Sequence, residues 1–140
     1  MRQCKRTTKL NAACHSSPVT DSIMKILLQH AAHARSGDKG NTSNICVIAY
    51  APELYASLKE QLTAERFKLH YAGVVKGKVE RYAVDGLQVL NFVAHEALGG
   101  GVSRSLCLDN YGKALSAAVL GFEIEVPDAL KHKLHGQQLL

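Results

Sequence analysis

The sequence is poor in the devices that announce a known chemistry. Its four cysteines, Cys4, Cys14, Cys46 and Cys107, contain no C-x-x-C pair. That spacing argues against a zinc ribbon or a disulfide framework and favours a reducing compartment. Cys46 and Cys107 lie inside apolar runs and read as small buried hydrophobes. No apolar stretch approaches the roughly 18 residues that cross a bilayer, so no membrane partner is expected. The first residues lack an apolar core, which excludes a secretory signal. H-E-x-x-H, the Walker loop and G-x-G-x-x-G are all missing. His30, His33, His70 and His95 read as solvated or core-edge side chains, and neither a metal nor a cofactor is expected.

Acidic charge is scarce at the ends of the chain, and only there. The net charge of +5 points at first to nucleic acid. Yet Arg2, Lys5, Arg6 and Lys9 face a single Asp21 within 1–23, and Lys131 and Lys133 have no acidic neighbour in 129–140. Residues 24–128 carry eleven groups of each sign. The excess sits in the tails, and nucleic acid is not an expected partner. The basic, Ser/Thr-containing stretch 1–23 reads as a tail or extension, with an organellar transit peptide as the alternative. Residues 24–128 then form one folded domain and 129–140 a basic tail, in a cytoplasmic protein unless the transit reading holds.

What is present is a mixed pattern. "MKILLQHAAHA" (24–34) fits a strand or a short helix. "NICVIAY" (44–50) reads as a strand buried on both faces. Pro52 opens a helix whose Leu54, Leu58 and Leu62 form one stripe, and Thr63 can cap a second. "VERYAV" (79–84) reads as an edge strand and Asp85-Gly86 as a turn. Helical spacing of Leu87, Leu90 and Ala94 predicts a helix over 87–98, with a strand as the competing reading. "VSRSLCL" (102–108) predicts a strand, 110–120 a helix, and "FEIEV" (122–126) a strand with Phe122, Ile124 and Val126 inward. The order is βαββαβ, the ferredoxin-like plan. The predicted class is α+β: an antiparallel sheet with helices on one face, an extra N-terminal segment and a helical insertion between the middle strands. An RNA-recognition module would need stacking aromatics on the two central strands, and these offer only Tyr50.

Three polar stretches bear on function. In "RSGDKGN" (35–41), two glycines let backbone N–H groups approach an anion, and Arg35 and Lys39 add charge. The bland reading is a loop in which Asp38 pairs with Arg35 or Lys39 while Asn41 and Asn44 bond local backbone. In "GGGVSRS" (99–105), Arg104 on a predicted central strand needs a partner such as Asp38, Asp109 or Glu96, or a cleft. Asp38, or His95 with Glu96, are the weak candidates for proton handling. Arg35, Ser36, Asp38, Lys39, Asn41 and Arg104 are the candidate ligand-binding set.

Taken together, "AHARSGDKGNTSNICVIA", "VERYAVDGLQVLNFVAHEALGGGVSRSLCLDNYGKAL" and the closing strand resemble the AtuA-like ferredoxin-fold domain, over about 32–126. That domain forms the C-terminal part of acyclic terpene utilisation protein AtuA and also occurs as stand-alone small proteins. Cys46 stands where relatives are expected to carry glycine. The resemblance implies the ferredoxin-like fold. It also implies a link to catabolism of acyclic terpenes through CoA thioesters, acting as an accessory or small subunit beside a large AtuA-type chain or as a homo-oligomer. A stand-alone enzyme or binding protein for a CoA ester or other small acid is the alternative.

Overall fold

The computed structural model describes residues 22–136. The expectations for 1–21 and 137–140 fall outside that range. Strand β1 (Ile23–Leu27) runs through a short 3-10 turn (Leu28–His30) into β2 (Ala32–Lys39), which forms a hairpin with β3 (Thr42–Ala49). Helices α1 (Pro52–Gln61) and α2 (Ala64–His70) follow, then β4 (Val79–Val84) and β5 (Val89–Ala94). An irregular stretch leads to α3 (Leu115–Val119), β6 (Glu123–Pro127) and a closing 3-10 turn (Asp128–Lys133).

The fold is α+β, ferredoxin-like, with antiparallel sheets. From β3 onward the order is βααββαβ, the βαββαβ plan with two short helices in place of its first, and β3 and β5 are central. The four-stranded sheet runs β2-β3-β5-β4, while β6 pairs with β1 in a separate two-stranded ladder. The N-terminal segment therefore serves both sheets. Its second half takes the edge beside β3 that the last strand of the plan would occupy, and its first half pairs with that last strand.

Three segments differ from the sequence pattern. Residues 87–98, expected as an inserted helix, contain β5. Leu90, Phe92 and Ala94 are buried while Val89, Asn91 and Val93 alternate with them, and Val-Leu-Asn-Phe-Val favours a pleated surface. Residues 102–108, expected as a strand, are turns. Gly99, Gly100 and Gly101 all have positive φ, and three such residues in a row redirect the chain out of the sheet. The 110–120 helix shrinks to α3 for lack of continuous helical backbone before Leu115.

The core lies between the four-stranded sheet and the helices. α1 packs on β3 and β6, α2 on β4, and α3 on β2 and β3. Leu54, Leu58 and Leu62 are all buried, and Phe67 of α2 stacks on Phe92 at 4.3 Å between centroids. β3 is not buried on both faces: Ser43, Ile45 and Val47 face the helices, and Asn44, Cys46 and Ile48 are half-buried on an uncovered side. Thr63 Oγ1 accepts from Arg66 N–H at 3.2 Å, the expected cap. The outer edge of β6 is closed by side chains. Gln61 Nε2 donates to Glu125 C=O at 2.6 Å, and its Oε1 accepts from Glu125 N–H at 2.7 Å.

Candidate functional site

Strand alternation decides where "RSGDKGN" goes. Residues 35–39 belong to β2, and only Gly40-Asn41 form the hairpin turn, since Lys39 pairs with Thr42. Gly40 has φ +62°, the left-handed backbone that favours glycine at the first central position of a two-residue hairpin. Side chains along β2 alternate between faces. Arg35 and Lys39 point to the uncovered face, opposite Cys46 and Thr42, and both are exposed. Ser36 and Asp38 point to the helix side, opposite Ile45 and Ser43. The expected cluster of Arg35, Asp38 and Lys39 is thus divided between the two faces of the sheet.

Asp38 pairs with neither Arg35 nor Lys39. Its carboxylate lies 3.7 Å from Lys113 Nζ, which also donates to Ser36 C=O at 3.4 Å. Ser36 Oγ donates in turn to Lys113 C=O at 3.0 Å. Lys113 therefore ties β2 to the approach to α3. It stands in the G-K-x-L run, where nothing in the sequence pattern marks a lysine as a tether.

Asn41 makes the long-range connection. Its Oδ1 accepts from the N–H groups of Leu98 at 3.2 Å and Gly100 at 2.9 Å, and its C=O accepts from Ala97 N–H at 3.0 Å. These partners are far from local. A Cβ on Gly101 would stand 3.2 Å from the carbonyl atoms of Gly40, so the glycine run lies directly against the hairpin tip. Asn44, by contrast, accepts from Cys46 Sγ at 3.5 Å, and Asn91 Oδ1 accepts from the same thiol at 3.2 Å. Burial on this face pushes the Cys46 thiol above its usual range.

Arg104 is on a loop, not on a central strand. Its N–H donates to Gly101 C=O at 3.0 Å, closing a turn beside the glycines. A Cβ on Gly100 would lie 3.6 Å from Arg104 Cβ, so the two family-like segments meet in the order Asn41, Gly100, Arg104. The side chain of Arg104 is exposed. Among the described residues, none of Asp38, Asp109 and Glu96 forms an ion pair with it. Asp109 instead caps the turn before α3, accepting from Lys113 N–H at 2.9 Å and Ala114 N–H at 2.7 Å.

His95 and Glu96 do not form an acid–base pair. His95 Nδ1 lies 3.4 Å from Thr42 Oγ1 on the uncovered face, and Glu96 is exposed with φ +51°. His33 stacks on Tyr50 and His70 on Phe122. Cys107, expected in the core, is exposed because its segment left the sheet.

Arg104 and Lys39 are exposed on the two segments that the Asn41 hydrogen bonds join. A family model of the AtuA ferredoxin-like domain matches residues 26–125. No curated protein and no solved structure gave a match. The matched span runs from within β1 into β6 and holds both segments that meet at Asn41. The chain belongs to the AtuA ferredoxin-like domain family.

Proposed function

We propose that the chain is an accessory or small-subunit domain of an AtuA-like system, serving the breakdown of acyclic terpenes through acyl-CoA thioesters in the cytoplasm. In this reading the hairpin tip and the glycine loop present Arg104 and Lys39 to a composite site that a separate large AtuA-type chain completes. One observation carries it. Asn41 locks two distant segments together at the backbone while the cations beside the junction are left exposed. A rigid support under free charge suits a docking or anion-gripping edge. The candidates for proton transfer are occupied elsewhere or lie on other faces: Asp38 pairs with Lys113, and His95 sits beside Thr42.

Co-expression with an AtuA-type large chain tests this directly. The two should co-elute, and Arg104→Ala should weaken their affinity by about tenfold, the effect of losing roughly 1.4 kcal/mol at an interface. Failure to co-elute at tens of micromolar, on the order of the weakest useful assemblies, would sink the reading. The same free cations also suit the alternative of a stand-alone binder for a CoA ester. Thermal stabilisation of the isolated chain by an acyl-CoA, abolished by Lys39→Ala, would replace the first reading with the second.

A further inference from the structure

The segment between the glycines and α3 carries an unusual surface. Leu106 and Leu108 have relative exposures of 103% and 106%, so neither touches the rest of the fold to any extent. Two leucines this exposed, two residues apart, contribute nothing to the monomer's core. Beside them lies a cleft of about 250 Å³ lined by Val74, Ala97, Leu98, Cys107, Asp109 and Leu115. Its wall is apolar apart from one carboxylate, and it has room for aliphatic side chains. Cys107, between the two leucines in sequence, belongs to the cleft wall. The projection and the hollow are therefore parts of one continuous patch.

We infer that this patch is a two-fold interface between copies of the chain, in which Leu106 and Leu108 of each protomer enter the cleft of the other. A two-fold contact uses the same patch on both partners, so it must contain both the protruding and the receiving element. This one does. The charges agree with the exchange. Arg104 is exposed on the same loop, Asp109 lines the cleft, and crossing the loops sets each guanidinium against the other copy's carboxylate. The exchange also fixes the position of the axis. Because Cys107 stands between projection and hollow, it lies close to the axis, facing its own copy. Two leucines and one cleft of about 250 Å³ are its apolar elements, few for the roughly 800 Å² per partner of a standard interface, so the dimer should dissociate on dilution. The contact needs no large chain, and it draws on the same exposed Arg104 that the docking reading above uses.

Sedimentation of the full chain between about 1 and 100 μM, spanning the range expected of small interfaces, should show a monomer–dimer equilibrium. Leu106→Asp with Leu108→Asp should abolish it without lowering the melting temperature, since both side chains are already in water. In a Cys4→Ser, Cys14→Ser background, a mild oxidant should yield a disulfide-linked dimer that Cys107→Ser eliminates and Cys46→Ser leaves intact. A monomer throughout that range would overturn the inference. So would a dimer unaffected by the double aspartate variant, or cross-linking that survives Cys107→Ser. Leucines needed only for binding a large chain would give the first of these results.

Discussion

Asn41 shows how much one side chain can hold. Asn41→Ala removes the acceptor shared by Leu98 and Gly100 N–H groups, and Leu98 is buried. Leaving such donors unpaired costs about 1–3 kcal/mol, so the variant should melt well below the parent. Asn41→Asp keeps the acceptor oxygen and should recover most of the loss; calorimetry of the two variants separates the hydrogen bonds from the volume change. Gly101→Ala should fail for a different reason. Its φ is +100° and the new Cβ would crowd Gly40, so a loss of about 1–2 kcal/mol or more is expected from the left-handed backbone alone. Asp85 gives the pH dependence. Lys59 Nζ first, then the Tyr55 hydroxyl, hold its carboxyl below the usual range. Tyr55 itself is pushed up to about 12, chiefly by burial. A depressed folded pKa means that the stabilisation is present above the ordinary carboxylate value, about 3.9, and is lost as pH falls through the depressed one. Asp85→Asn should therefore lower the urea midpoint at pH 7, and the gap should close in acid.

At the scale of elements, the legible parts were those in which pattern and burial share a period. Leu54, Leu58 and Leu62 wrote α1 into the sequence, Thr63 marked the start of α2, and Phe122, Ile124 and Val126 marked β6. The third strand was misplaced because "LQVLNFVAHEAL" satisfies two periods at once. Its register was settled only by β3 and β4 on either side. "VSRSLCL" has strand composition but no strand, since the glycines ahead of it impose a backbone that composition does not reveal. The candidate site was half legible. The R-S-G-D-K-G-N and G-G-G segments do meet, but through Asn41 and glycine backbone rather than through Arg35 and Asp38, which alternation sends to opposite faces. Gln61 belongs to this scale too. Its side-chain amide bonds both backbone groups of Glu125 and so covers an edge that would otherwise be open to another chain. Gln61→Ala should cost about 1–2 kcal/mol for two hydrogen bonds and raise the concentration dependence of scattering; light scattering through a thermal ramp checks both.

For the whole molecule, the division into two sheets matters more than the helix count. One face of the larger sheet packs on α1, α2 and α3, and the other presents Asn44, Cys46, Asn91 and Tyr82 beside Arg35. Helices and sheet share one core with β6, whose Ile124 and Val126 are fully buried. A chain ending at Gly121 should consequently lose cooperative unfolding instead of keeping an intact four-stranded sheet; circular dichroism against urea would show a broad, shallow transition. The pairing of Ile23 with Pro127 also orders events during synthesis. By the time Ala94 has left the ribosome, every strand of the larger sheet has been made. β1 must still wait for β6, some thirty residues further on, so the nascent chain carries an open strand edge until Glu123–Pro127 has emerged.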